Sequence, residues 1–164
     1  MFAMPQPTPE HQKMALLSGD WSGEEVMPPQ PWMPAGAKGT GHITGRMVLG
    51  GFHLISECRS ERDGKTVYEG HGVMCYDKKA GRYVQHWFDS MGSHADSPPA
   101  RGNWHGDSLV LESSGMCPGP DGKETMMHSR YTYKAKGKDF TLVIESSPDG
   151  KSWKTFMTGT YRKK

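Results

Sequence analysis

The chain has 164 residues, of which 34% are hydrophobic, and it contains 21 glycines, 12 prolines and a formal net charge of +2. This length suits one domain with a sizeable core, and the glycine and proline content suits short strands joined by tight turns. The small, scattered charge argues against a nucleic-acid partner, and the lack of a long apolar run argues against a transmembrane helix and a membrane partner.

Signals for targeting and for disulfide formation are weak. The first residues of the sequence as given lack the charged and apolar regions of a signal peptide. Three cysteines, Cys58, Cys75 and Cys117, are odd in number and far apart, which argues against a disulfide framework. We therefore predict a cytoplasmic protein with reduced cysteines.

The first predicted elements are a flexible arm over 1–7 and a short helix over 9–18. Thr8 can cap this helix, Pro9 suits its first position, and Gly19 ends it. A first strand over 20–27 leads into a proline-rich loop. Trp32 and Met33 in that loop suit either a flap or a segment pinned to the rest of the domain.

Turn residues divide the rest of the chain into nine further strands. The one over 95–104 contains Pro98 and Pro99, so we expect it to be edge-like or bulged. Turns separate almost all neighbouring strands, so we predict an all-β fold in a single domain over 1–164. Its architecture is a ten-stranded antiparallel up-and-down barrel with a short N-terminal helix. A barrel of this width can hold a ligand in its interior.

The stretch over 66–91 predicts a β-hairpin, because two runs rich in Val, Tyr, Trp and Phe flank a polar turn over 78–81. This turn sets four cross-strand pairs on one face: Tyr76 with Tyr83, Met74 with Gln85, Gly72 with Trp87, and Gly70 with Asp89. A turn at Asp63 and Gly64 extends the hairpin upstream. It adds two predicted pairs, Ile55 with Gly72 and Glu57 with Gly70.

The two glycines leave space beside the large indole of Trp87, and this space has two interpretations. Trp87 either fills the space over Gly72 as core packing or forms part of a concave wall with a polar end. A register slip of one residue would instead bring Ser56, His71 and Phe88 to this face.

Four stretches, in order along the chain, resemble one bacterial family: PEHQKMALLSGDWSGE, RMVLGGFHLISE, YEGHGVMCYDKKAGRYVQHWFDSMGS and TGTYRKK. The family is known as domain of unknown function 1579, and the resemblance covers nearly the whole chain. It implies a calycin or lipocalin-like β-barrel and no established reaction. In the calycin pattern an early Trp, here Trp21, plugs one barrel end, and a late Arg, here Arg162, lies against it.

The relatives by fold are the lipocalins, the fatty-acid-binding proteins and the nitrobindin haem barrels. This analogy of fold transfers no chemistry by itself. Nitrobindin-like proteins ligate haem through a His near the C-terminal end of the barrel, whereas this sequence has no His after His128. We therefore expect no haem and no other cofactor.

The eight histidines show no local metal-ligand spacing, so no metal site is predicted. His71 and His86 lie diagonal to one another on one face of the hairpin. There they either share a ligand or are simply exposed on the outer surface.

Glu57 and Asp89 flank Gly70 in the predicted register. They form either an acid–base pair, in which one carboxyl has a raised pKa, or a salt-bridge cluster with Arg46 or Arg130. No motif for a nucleophilic residue is present, so the sequence gives no support to covalent catalysis.

We predict a noncatalytic protein that binds a small hydrophobic or amphipathic molecule inside its barrel. The 12 methionines suit either core filling or a pliable apolar pocket. One alternative is a small lyase, isomerase or hydrolase that uses Glu57 and Asp89, and another is a filled barrel that acts through self-association as a homodimer. The predicted ligand-binding residues are Arg46, Ile55, Glu57, Met74, Tyr76, Tyr83, Gln85, Trp87 and Asp89, with Tyr161 as a further candidate.

Overall fold

The structure is a computed structural model that describes residues 3–92, 97–117 and 121–164, together with the backbone of Pro118. Within these ranges the strands form one closed antiparallel barrel, in which each strand pairs with the next and β1 pairs with β10. The predicted ten-stranded all-β barrel is confirmed. The strands are β1 (Gly19–Met27), β2 (Ala37–Val48), β3 (His53–Arg62), β4 (Lys65–Asp77), β5 (Arg82–Asp89), β6 (Ala100–His105), β7 (Ser108–Pro118), β8 (Glu124–Lys136), β9 (Asp139–Ser147) and β10 (Lys154–Lys163).

The predicted N-terminal helix is present as α1 (Pro9–Lys13), which continues as a 3₁₀ turn over Met14–Leu17. Thr8 is the residue before its first turn, and Nδ1 of His11 accepts the backbone N–H of Thr8 at 3.1 Å. Met14 and Leu17 are buried against the barrel. The helix therefore plugs one end of the barrel, which we call the closed end.

The two ends of the barrel differ in packing. β1 starts at the closed end, so the connections from β1 to β2, from β3 to β4 and from β9 to β10 lie at the other end, which we call the mouth. Large inward side chains fill the closed half and are at most 5% exposed: Trp21, Leu54, Met74, Leu109, Leu111 and Phe140. Burial of these apolar groups is the main source of stability in this half of the barrel.

Trp21 does plug the closed end, but its cationic partner differs from the predicted one. Trp21 pairs with Lys163 across β1 and β10, and Nζ of Lys163 lies 5.2 Å from the centre of a Trp21 ring. The predicted Arg162 contact is wrong, because side chains alternate along β10 and Arg162 points outward. There its Nε lies 3.4 Å from Oδ1 of Asp139.

The register between β4 and β5 is as predicted, with Tyr76 opposite Tyr83 and Gly72 opposite Trp87. The register between β3 and β4 was predicted wrongly by one residue. The turn at Asp63 and Gly64 has the two positive φ angles of a tight hairpin, 50° and 72°, and the pairs beside it are the expected ones.

A β-bulge then changes the alignment of β3 and β4. Glu61 pairs with Thr66 but Ser60 pairs with Tyr68, so Val67 is an extra residue in β4. From there on Ile55 pairs with Val73 and Glu57 with His71, and both point outward. Ser56 and Cys58 face the interior in their place.

The predicted edge-like strand over 95–104 also needs correction. Ala95 lies outside the described residues, and β6 begins at Ala100, after Pro98 and Pro99. β6 is short, but it pairs with both neighbours and is part of the closed ring. The prolines therefore precede the strand and interrupt no hydrogen bond within it.

Candidate functional site

The interior of the mouth half contains accessible space, which we call the lumen. The inward-facing side chains there are only partly buried: Tyr68, Trp87, Ser113, Ser129, Tyr131 and Ile144. In the closed half the six large core side chains are at most 5% exposed, and partly buried inward residues such as Tyr76 and Trp104 lie beside the helix. A side chain that points into a closed barrel keeps accessible surface only where the interior is unfilled. Tyr133 lies deeper in the barrel and is surrounded by protein, yet part of its surface is still accessible. The unfilled space therefore extends down to Tyr133.

Trp87 forms a flat aromatic wall of the lumen. A Cβ atom at Gly70 or Gly72 would overlap the carbon atoms of its indole, so only glycine lets the ring lie flat against β4. The indole N–H donates to the hydroxyl of Tyr68 at 2.7 Å, and that hydroxyl lies 3.3 Å from Oδ2 of Asp89. One face of the indole is therefore fixed on the wall and the other faces the lumen.

Gln85 and Tyr133 form the floor of the lumen. The hydroxyl of Tyr133 donates to Oε1 of Gln85 at 2.8 Å, and Gln85 is only 5% exposed. Burial raises the pKa of Tyr133, so its hydroxyl stays protonated and remains a donor at neutral pH. Among the described residues, Nε2 of Gln85 has no hydrogen-bond acceptor.

Glu25 faces the lumen from β1. The hydroxyl of Tyr161 donates to Oε1 of Glu25 at 2.9 Å. A Cβ at Gly41 would overlap the Glu25 carboxylate, and a Cβ at Gly159 would overlap the Tyr161 ring. These glycines make room for the pair in the same way as Gly70 and Gly72 make room for Trp87.

Cys58 lies near the carboxylates of Glu25 and Asp89, and the pKa of its thiol responds to their negative charge. Burial raises the pKa of its thiol to about 12, and the negative charges of Glu25 and Asp89 add to this effect. The thiol is therefore protonated and a poor nucleophile at neutral pH. The two carboxylates make the interior around Cys58 electrostatically negative.

The family model described as "Protein of unknown function (DUF1579)" matches residues 6–163 of this chain. The chain belongs to the DUF1579 family. Among solved structures it is similar to Rv2717c from M. tuberculosis, with 18% sequence identity and a TM-score of 0.67. That match covers 96% of this chain and 98% of Rv2717c, and at this identity it shows the fold alone. No curated protein matches the chain.

The predicted site residues of this DUF1579 protein fall into three places. Gln85, Trp87 and Asp89 face the lumen. Met74 and Tyr83 are packed in the closed half, where the hydroxyl of Tyr83 donates to the backbone oxygen of Glu10 at 2.8 Å. Tyr76 lies beside them, with its ring centre 5.0 Å from that of Tyr83 and 5.6 Å from that of His11.

Arg46, Ile55 and Glu57 lie outside the barrel of this DUF1579 protein. Arg46 pairs with Ile55 on the outer face, and Oε1 of Glu57 lies 3.6 Å from Nδ1 of His71. The predicted closeness of Glu57 and Asp89 around Gly70 is wrong, because the bulge in β4 places the two carboxylates on opposite faces of the sheet.

Sequence reasoning missed several residues of the lumen: Glu25, Cys58, Tyr131 and Tyr133. The alternation in RYTYKA was a usable signal for the two tyrosines on β8, since residues two apart share a face. The alternating glycines of β2 were a signal for the bulky partner that lies over them. No local signal pairs Glu25 with Tyr161, because the two are brought together by barrel closure.

The strands β1, β2 and β3 form adjacent parts of the mouth of this DUF1579 protein. Arg62 lies over Gly39 at the rim, and its Nη2 is 2.9 Å from Sδ of Met27. The proline-rich loop is held by Gln30, whose Nε2 donates to the backbone oxygen of Thr155 at 3.2 Å. Trp32 is 69% exposed, so the amide of Gln30 and not the indole pins this loop.

Among the described residues, no group of three or more His, Cys, Asp or Glu side chains could hold a metal ion. His71 and His86 lie on the outer face of the β4–β5 hairpin, as the alternation predicts. No helix in the described part of the chain has the length and apolar character to cross a membrane.

Proposed function

We propose that this DUF1579 protein is a noncatalytic binding barrel that takes up a small amphipathic molecule through its mouth. The single observation that carries this proposal is the contrast between the two halves of the barrel. The six large core side chains of the closed half are at most 5% exposed, whereas Trp87, Tyr131 and Ile144 keep accessible surface in the mouth half. In the closed half, Tyr76 and Trp104 are also partly buried, but they lie beside the helix. A barrel that served only as a filled scaffold would gain stability by packing both halves.

The chemistry of the lumen supports a ligand with apolar and polar parts. Aromatic and aliphatic surfaces of Trp87, Tyr131 and Ile144 suit an apolar body, while Gln85 and the hydroxyls of Ser113 and Ser129 suit polar substituents. Small-molecule sites commonly combine a mostly apolar lining with a few polar groups that fix orientation.

Binding is favoured over catalysis by the protonation of the interior groups. Burial raises the pKa of Cys58, Tyr68, Tyr133 and Tyr161, so none of these groups is activated as a base or nucleophile at neutral pH. The alternative acid–base pair of Glu57 and Asp89 is separated by the barrel wall.

We further propose that the ligand is not haem. A haem ligand would be a histidine near the C-terminal end of the barrel, and the last histidine of the sequence is His128 on β8. His128 lies on the outer face, where it pairs with Ser114 and Ser147. The cytoplasmic location and the homodimer stay predictions. The free thiols of Cys58, Cys75 and Cys117 support a reducing compartment.

The test is native mass spectrometry of protein purified without refolding, combined with a thermal-shift screen of amphipathic small molecules. Ser113→Phe fills the lumen, and Ser114→Phe places the same ring on the outer face of the same strand. We expect Ser113→Phe to abolish the co-purifying mass or the thermal shift, and Ser114→Phe to preserve it. Equal binding by both variants would rule out an interior site.

A further inference from the structure

This inference rests on the proposed function and gives the chemical class of its ligand. We propose that the lumen selects a small aromatic or apolar molecule that carries a protonated amine, with Glu25 as the counter-ion and Trp87 as the aromatic platform. The amine would be favoured over a neutral alcohol or a carboxylate on the same body. Three features of the lumen carry the argument.

The first feature is the sign of the charges inside the barrel. Glu25 and Asp89 both point inward, and their charges are felt at Cys58 between them. Among the described residues, the inward cations lie at the two extremes of the barrel. Lys163 lies over Trp21 at the closed end, and Arg62 lies at the rim of the mouth. By register, Lys65 and Lys154 are also on the inner face at this rim. The space between these two extremes is therefore suited to a cation and unfavourable for an anion.

The second feature is the geometry of Glu25. Its Oε1 is held by the hydroxyl of Tyr161, whereas Oε2 has no hydrogen-bond partner or ion-pair partner among the described residues. Oε2 is not a closed-off atom, since the side chain keeps partial access to the lumen. A carboxylate that is fixed through one oxygen and open at the other is ready to accept an N–H of an ammonium group.

The third feature is the buried amide of Gln85. This side chain is 95% buried, its Oε1 is bonded to Tyr133, and its Nε2 has no acceptor within the described chain. Nε2 is not one of the enclosed side-chain atoms without a partner, so it keeps access to the lumen, where a ligand oxygen or ring nitrogen can accept its N–H. A ligand therefore gains from an acceptor group at its far end as well as from the amine.

Trp87 adds a contribution of its own. Its ring is held flat on the wall by Gly70, Gly72 and the bond to Tyr68, so the lumen-facing side is preorganised. Tryptophan offers the best aromatic face for a cation, and a flat ring also stacks with an aromatic ligand.

Arg62 is the competing group, because it could instead attract an anion to the rim. Its guanidinium contacts the sulfur of Met27, and no carboxylate of the described chain lies within 4 Å of it. If Arg62 dominated recognition, carboxylates would bind best and the acidic groups deeper in the barrel would oppose them. The two arrangements therefore predict opposite preferences for charge.

The experiment compares three probes with the same phenol body, namely tyramine, tyrosol and 4-hydroxyphenylacetate, which carry positive, zero and negative charge. Binding to the full chain is measured by isothermal titration calorimetry and by ligand-observed NMR. The variant Glu25→Gln keeps an oxygen that can accept from Tyr161 but removes the charge. Glu24→Gln is the matched control, because Glu24 is adjacent, exposed and points outward. Melting temperatures establish that both variants are folded.

We expect tyramine to bind about tenfold more tightly than tyrosol, and 4-hydroxyphenylacetate to bind most weakly. Glu25→Gln should reduce the ratio of tyramine to tyrosol affinity about tenfold, while Glu24→Gln leaves it unchanged. Tightest binding by tyrosol or the carboxylate would overturn the amine inference and leave interior binding intact. Absence of binding by all three probes, together with an empty lumen in native mass spectra, would overturn both proposals.

Discussion

The indole N–H of Trp87 on β5 donates to the hydroxyl of Tyr68 on the neighbouring β4 at 2.7 Å, and the ring lies over Gly70 and Gly72 of β4. This hydrogen bond and the missing side chains at Gly70 and Gly72 hold the indole flat against β4, while its other face stays open to the lumen. Trp87 thus contributes both to packing and to the candidate site, which were alternatives at the level of sequence.

Trp87→Ala should lower the free energy of unfolding by about 2–3 kcal/mol. This loss is smaller than is usual for truncation of a fully buried aromatic residue, because one face of the ring is not packed. Urea unfolding followed by circular dichroism measures the change. Phe88→Ala is the matched control, since Phe88 is its neighbour, points outward and is 41% exposed. A loss of less than about 0.5 kcal/mol is expected there. Equal losses for both variants would contradict the packing role of Trp87.

Gly70→Ala should cost about 1–3 kcal/mol, because the added Cβ overlaps the indole of Trp87 and forces the ring off the wall. Gly115→Ala tests the same change on an inward position with open space, where the nearest described atom is Cδ of Pro98 at 3.8 Å. It should be neutral or slightly stabilising, since alanine restricts the unfolded chain. Thermal unfolding of the two variants decides this, and a neutral Gly70→Ala would show that the indole is not confined.

Stability should fall at alkaline pH through Cys58. Its thiol pKa is raised from 9.0 in the unfolded chain to about 12 in the fold, mainly by burial and then by the charge of Glu25. The neutral thiol therefore favours the folded state fully below pH 9, and this contribution is lost as pH rises from 9 toward 12. The slope from this group reaches up to about 1.4 kcal/mol per pH unit.

Urea unfolding at a series of pH values measures this dependence. Cys58→Ala should reduce the slope between pH 9 and pH 10, below the ordinary pKa of the buried tyrosines, which add their own loss of stability above pH 10. Cys117→Ala should not change the slope, because Cys117 is exposed. Thiol-reactive reagents provide a second readout, with fast labelling of Cys117 and slow labelling of Cys58 in the folded protein. Rapid labelling of Cys58 at neutral pH would contradict its burial.

Lys163→Ala should cost about 0.5–1 kcal/mol, because Nζ of Lys163 lies over the Trp21 ring and donates to the backbone oxygen of Ser18 at 3.2 Å. Arg162→Ala should have an effect below about 0.5 kcal/mol, since its ion pair with Asp139 is exposed. Lys163→Met separates the charge from the packing of the stem. A larger loss for Arg162→Ala than for Lys163→Ala would restore the partner predicted from the family pattern.

The sequence was most informative where structure is set locally. The β4–β5 register followed from the polar turn over 78–81, because turn length fixes which residues face one another. The β3–β4 register failed although its turn was identified, since one extra residue at Val67 reverses every side chain beyond it. Nothing in the hydrophobic pattern around Val67 distinguishes a bulge from a regular strand.

The candidate site was only partly predictable for the same reason. Gln85, Trp87 and Asp89 belong to the hairpin whose register was correct, and they do face the lumen. Arg46, Ile55 and Glu57 were assigned through the misaligned strand and lie outside. Glu25 and Tyr161 are separated by 136 positions in the chain, so only closure of the ring brings them together.

Pairing of β1 with β10 has a consequence for how this protein folds. Until Lys154–Lys163 has docked, β1 and β9 are both unprotected sheet edges, each with a row of free backbone donors and acceptors. A nascent or truncated chain that lacks this segment can pair these edges with another copy. Strand exchange between molecules and early aggregation are then expected, and they should be relieved by supplying Lys154–Lys163 as a separate peptide.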